Sequence, residues 1–158
     1  MKRIAKFHKV SFEQFKEGWM GEFPQTTEAK LQKIYEDIKL PKRATAGSAG
    51  YDFYTPETFS LKSGETIKIP TGIRVEMEEG WVLKLYPRSG LGFIDSDYFY
   101  SDNEGHMFAK ITNDAKQEKT LTVEKGQGFM QGIFVEYGIT VDDDATAVRN
   151  GGFWSTTK

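Results

Sequence analysis

The chain contains no cysteine. Disulfides, thiolate metal sites and cysteine nucleophiles are therefore excluded. Histidine is nearly as scarce. His8 and His106 stand alone, without a His or Cys neighbour at metal-ligand spacing, so surface or structural roles are expected for both. An excess of charge of one sign is also lacking: 21 basic and 23 acidic residues leave a net charge of −2. That balance argues against a broad footprint for nucleic acid or for an anionic membrane, though a small local anion site stays open. No apolar run approaches the length of a membrane span. The opening MKRIAKFHKV is basic but has no apolar core, so it does not read as a secretory signal. A reducing, cytoplasmic setting is the expectation.

What is present fits one soluble globular domain: 158 residues, 38% hydrophobic and 28% charged. Residues 11 to 39 read as helical. Ser11 precedes Glu13 and Gln14 as at a helix start, and Leu31, Ile34, Tyr35 and Ile38 fall on one stripe. Pro41 ends any helix, so residues 1–40 are expected to form an N-terminal helical extension covering part of the domain surface. From residue 41 the period changes to two. ETIKIPTGIRVEM, WVLKLY, HMFAKIT and KTLTVEKG alternate apolar and polar residues, separated by turn signals such as Ser63-Gly64 and Glu79-Gly80. GFMQGIFVEYGITV reads as a longer, mostly buried strand. A mainly β domain over 41–147, of sandwich or barrel type, is expected, followed by a glycine-rich C-terminal tail over 148–158. The aspartates 142 to 144 read as a solvated turn.

Four stretches hold residue types that bind or react. AGSAGYDFY, residues 46 to 54, allows close backbone approach before Asp52; the plain alternative is a turn capped by that aspartate. PRSG, residues 87 to 90, combines a guanidinium fork, a hydroxyl and a backbone N–H, which suits phosphate and equally suits a solvated turn. IDSDY, residues 94 to 98, puts Asp95 and Asp97 on one face if it is a strand, so that one carboxylate can activate water or both can bind a cation. The alternative is a solvated strand end. The fourth is a pair, GQGFMQG and RNGGFWST. Gln131 interrupts an apolar run and, if buried, needs partners. Arg149, Ser155 and Thr156 offer anion donors, and Phe153 offers a stacking surface.

Singly these signals are weak. Their order, AGSAGYD, PRSG, IDSDY, GFMQGIF and RNGGFxST, resembles the five sequential motifs of the trimeric dUTPase family, from about Pro41 to the C-terminus. The resemblance implies a jelly-roll-like β-clip domain that forms a homotrimer. Its sites draw motifs from more than one subunit, and Mg²⁺ acts on the triphosphate as dUTP is cleaved to dUMP and pyrophosphate. By the same resemblance Asp95 orients and deprotonates the attacking water, while Arg88, Ser89 and Gly90 contact phosphate. Gln131 holds a phosphate oxygen. Tyr98 packs on the deoxyribose, and Asp52 touches the metal through water. In the tail, Phe153 stacks on the base while Arg149, Ser155 and Thr156 close on the terminal phosphates.

Two departures accompany the match. The family places a β-hairpin between the second and third motifs, and its backbone selects uracil. Here only Leu91, Gly92 and Phe93 separate Gly90 from Ile94, too few for two strands and a turn. The hairpin is expected to be absent, with GLGF bridging its ends. Trp154 stands where the family usually has glycine. Loss of one discrete element amid intact motifs has the pattern of an engineered excision. The leading expectation is a nucleotide pyrophosphatase impaired in activity or base selection. The alternative, from another class, is a weak or inactive trimeric scaffold that binds a nucleotide or another ligand. A dCTP deaminase fits less well, since GLGF supplies neither the extra polar residues nor a catalytic glutamate.

Overall fold

A computed structural model describes residues 1–88 and 105–147 in full, and residues 91–95 by their backbone pairing. The chain opens with a strand, β1 (Ala5–Lys9), then two helices, α1 (Phe12–Glu22) and α2 (Glu28–Glu36). The strands that follow are β2 (Lys42–Arg43), β3 (Tyr51–Tyr54), β4 (Phe59–Leu61), β5 (Thr66–Pro70), β6 (Ile73–Met77) and β7 (Trp81–Pro87). After them come β8 (Leu91–Asp95), β9 (Phe108–Asn113), β10 (Leu121–Val123) and β11 (Gly128–Glu136). The expectation of a mainly β domain holds.

The helical region read over 11–39 forms two helices. Ser11 and Thr27 each cap one, accepting from Gln14 N and Lys30 N. Pro24 lies in the break between them, where a helix interior would lose a hydrogen bond. Residues 5–9, assigned to the helical extension by sequence, are instead a strand, antiparallel to β6 with Phe7 opposite Val75. Their alternation is legible in AKFHK, but five residues are a weak signal. The helices are not a mere cover. Phe15, Leu31 and Ile34 are at most 1% exposed and belong to one hydrophobic cluster with Phe53, Leu83, Ile111 and Phe129.

Among the described residues four small sheets surround that cluster. Their orders are β1-β6, β10-β4, β2-β3-β11-β7 and β5-β9-β8. The four-stranded sheet carries the candidate site. Its β11 is irregular: the register with β3 shifts between Gly128 and Met130. This bulge sends two consecutive side chains, Phe129 and Met130, into the core. A strand without a bulge alternates, so Gln131 would then follow Phe129 inward. With the extra residue, Gln131 faces outward and is exposed. The mostly buried strand expected over GFMQGIFVEYGITV is therefore corrected. β11 ends at Glu136, and Tyr137, Ile139 and Val141 beyond it are exposed.

Candidate functional site

The register of the four-stranded sheet aligns residues from distant parts of the chain. Lys42 lies opposite Asp52, Asp52 opposite Gln131, and Gln131 opposite Tyr86. Residues directly opposite in antiparallel strands share a face. Asp52 and Gln131 meet directly: Gln131 Nε2 donates to Asp52 Oδ1 at 2.9 Å. An ionised carboxylate only accepts, so the amide nitrogen must be the atom that faces it.

Beside this pair β7 ends. Arg88 N donates to the carbonyl of Phe129 at 3.0 Å, which fixes the start of the PRSG turn to the bulge of β11. The exposed Arg88 thereby stands over the same face. An open depression of about 410 Å³ results, lined among others by Asp52, Tyr54, Tyr86, Arg88 and Gln131. Its polar groups are a carboxylate, an amide, a guanidinium and two phenols, a set able to hold a phosphorylated or hydroxylated ligand.

The loop entering β3 is also held. Arg43 Nη1 donates to the carbonyls of Ala46 at 2.8 Å and Ser48 at 3.1 Å, folding the AGSAG segment back on β2. The loop ends at Gly50, which is buried beneath Gln131. A Cβ on Gly50 would lie 3.0 Å from Gln131 Oε1 and 3.2 Å from its Cδ. No pattern along the chain marks Arg43 or assigns Gly50 a partner. The glycine was visible as a site of close approach, but the approaching group was not.

Of the residues predicted from the motifs, the structure brings together Asp52, Arg88 and Gln131. Asp95 closes β8, its Cα paired with Lys110 of β9, in a different sheet. Ser89, Gly90, Tyr98, Arg149, Phe153, Ser155 and Thr156 lie outside the described residues, as do Asp97 and Trp154. Among the described residues no three acidic or histidine side chains gather as a metal site. None of their helices is long and apolar enough to cross a membrane. His106 is buried at 1% exposure and has a structural role; His8 pairs with Glu76 at 3.0 Å on the surface.

Fold and site together define a mainly β domain with an anion-competent depression built from sequence-distant motifs. Comparison with known proteins narrows this. A family model described as dUTPase matches residues 36–157. The deoxyuridine 5'-triphosphate nucleotidohydrolase of Lactococcus lactis is 40% identical over 134 residues, covering 75% of this chain and 88% of its own. That of Chromobacterium violaceum is 37% identical over 137 residues, covering 74% and 87%. Among solved structures, the dUTPase from Streptococcus mutans superposes with a TM-score of 0.57 at 30% identity, covering 85% of this chain and 97% of its own. The Staphylococcus bacteriophage 80alpha dUTPase, solved as a mutant with dUpNHpp, gives 0.61 at 17% identity, covering 99% and 96%. A phage phi11 dUTPase mutant, described for the coordination of a structural Mg(II) ion, gives 0.60 at 17% identity, covering 92% and 98%. The chain belongs to the dUTPase family.

Proposed function

We propose that this chain hydrolyses dUTP to dUMP and pyrophosphate in the cytoplasm, as a homotrimer. The carrying observation is the convergence of Asp52, Arg88 and Gln131, from three separate motifs, on one depression. In the reaction, a water oxygen bonds to the α-phosphorus while the bond to the pyrophosphate oxygen breaks. Asp95 takes the water proton, a contribution of about 10²- to 10⁴-fold in rate. Arg88, with Ser89 and Gly90, balances charge that builds on the phosphate oxygens. Gln131 donates to a phosphate oxygen through its amide. Tyr98 packs on the deoxyribose, Phe153 on the base, and Arg149, Ser155 and Thr156 on the terminal phosphates.

The residues present fit Mg²⁺ held chiefly by the substrate. Among the described residues Asp52 is the one carboxylate lining the depression, and this ion commonly keeps several waters while binding phosphates and one or two carboxylates. Bound there, Mg²⁺ would neutralise triphosphate charge, and Asp52 would hold one of its waters. The 80alpha dUTPase solved with dUpNHpp supports nucleotide binding at the level of the family, and the phi11 dUTPase, described with a structural Mg(II) ion, is a relative that holds this metal.

Base selection is reduced in this reading. Three residues join Gly90 to Ile94, and Leu91, Gly92 and Phe93 are already part of β8. The Lactococcus alignment runs over 134 positions yet takes in 75% of a 158-residue chain, so the relative has positions without a counterpart here. That observation also favours the second reading, a weak or inactive binding scaffold. The deciding assay is pyrophosphate release from dUTP with Mg²⁺, beside dCTP, dTTP and UTP and an Asp95→Ala control. Hydrolysis that the control abolishes supports the enzyme; nucleotide binding without turnover supports the scaffold. Sedimentation should report a trimer, and a stable monomer would overturn a site shared between subunits.

A further inference from the structure

We propose that Gly50 is a positioning residue that sets the direction of the Gln131 amide, with Asp52 as its second support. The inference rests on the dUTPase reading for its kinetic consequence, but its geometry stands apart from it. Gln131 Oε1 and Cδ lie against the Gly50 backbone, at 3.0 and 3.2 Å from where a Cβ would stand. On the other side Nε2 donates to Asp52 Oδ1 at 2.9 Å. The amide is thus clamped at both ends, its oxygen over a bare backbone and its nitrogen against an acceptor. A primary amide has two N–H groups. Asp52 takes one, and among the described residues the other has no partner, which leaves a donor of fixed identity for the depression that Gln131 lines. An unclamped glutamine could turn its oxygen toward the same place and repel a phosphate.

Three variants separate this role from others. Gly50 has no positive φ, and the atoms a Cβ would crowd belong to the end of a flexible side chain, so Gly50→Ala should fold and displace the amide. Asp52→Asn keeps a side-chain oxygen that can accept from Nε2 while removing the charge. Asp52→Ala removes both. The primary readout needs no nucleotide: the nuclear Overhauser contact between the Gln131 side-chain amide protons and the Gly50 α protons, its resonance identified by loss in Gln131→Met. Because Nε2 faces Asp52 and the oxygen faces Gly50, the contact should be weak in the unaltered protein and in Asp52→Asn, and should strengthen in Asp52→Ala, where the released amide can turn its protons toward Gly50. In Gly50→Ala the Gln131 side-chain amide resonances should shift, as the added methyl displaces the group from Asp52.

The secondary readout is turnover of dUTP. Gly50→Ala should lower kcat/KM by about 10-fold or more, since a misplacement of about 1 Å can cost 10²-fold, with the Mg²⁺ dependence unchanged. Asp52→Asn should shift the Mg²⁺ dependence instead. A strong contact in the unaltered protein, or unshifted Gln131 amide resonances in Gly50→Ala, overturns the proposal. So does unaltered kcat/KM in an active Gly50→Ala protein. If no nucleotide is hydrolysed at all, the functional reading fails and the Overhauser measurement alone still decides the positioning.

Discussion

Gly72 donates its backbone N–H to Nε2 of His106 at 2.9 Å, in the interior of the domain. A backbone N–H can only donate, so this ring nitrogen is an acceptor. The bond joins the β5–β6 turn to the segment before β9. Gly72 itself has φ of 76°, and a Cβ there would run into Ile38 at the end of the helical arm. His106→Leu would keep the volume and orphan the Gly72 donor. Leaving a buried donor unmade costs about 1–3 kcal/mol. A urea titration should show that loss; an unchanged midpoint would mean the Gly72 N–H finds another partner.

The helical arm is part of the core, which gives it a large predicted effect. Phe15 is fully buried, stacked on Trp19 at 5.5 Å between ring centres and set against His106 at 6.2 Å. Phe15→Ala should destabilise the whole domain by about 3–5 kcal/mol. If α1 were a loosely attached cover, the variant would leave the main unfolding transition in place, as read by tryptophan fluorescence and far-ultraviolet dichroism.

Acid should weaken the seam between α2 and the turn before β11. Asp37 accepts from Lys125 Nζ at 2.8 Å and pairs with Lys33 at 3.2 Å. Lys125, then Lys33, hold its carboxyl below the usual value of 3.8. A depressed carboxylate contributes stability that is fully present above the ordinary value and fades as pH falls through the folded one. Asp37→Asn should therefore be less stable than the unaltered protein at pH 7, with the gap narrowing toward pH 2. A gap constant over that range would show that the pairing contributes nothing through charge, as many exposed ion pairs do.

The short link between Gly90 and Ile94 predicts a selectivity change. A site that hydrogen-bonds its substrate's base can discriminate by about 10⁴- to 10⁵-fold. The ratio of kcat/KM for dUTP over dCTP should fall far below that here. A ratio of that full size would show that residues other than a hairpin read the base. Under the proposed role, in which Asp95 takes the proton of a water common to both reactions, Asp95→Asn should depress turnover of both nucleotides alike, by about 10²- to 10⁴-fold.

Much of this protein follows from local sequence. Period-two alternation places β5, β6, β7, β9 and β10, since side chains on a strand must alternate between core and water. The order of the five motifs assigns the family, and Ser11 and Pro24 bear on where α1 can lie. Tertiary structure decided the rest. Gln131 lies in an apolar run, and period alone would bury it. A single extra residue in β11, countable only against its partner strand, turns it outward to Asp52. Gly50 in the sequence is a place where something comes close; only the packing of β3 on β11 shows that an amide does. Pattern along the chain records which residues avoid water, while register across the sheet determines which of them meet.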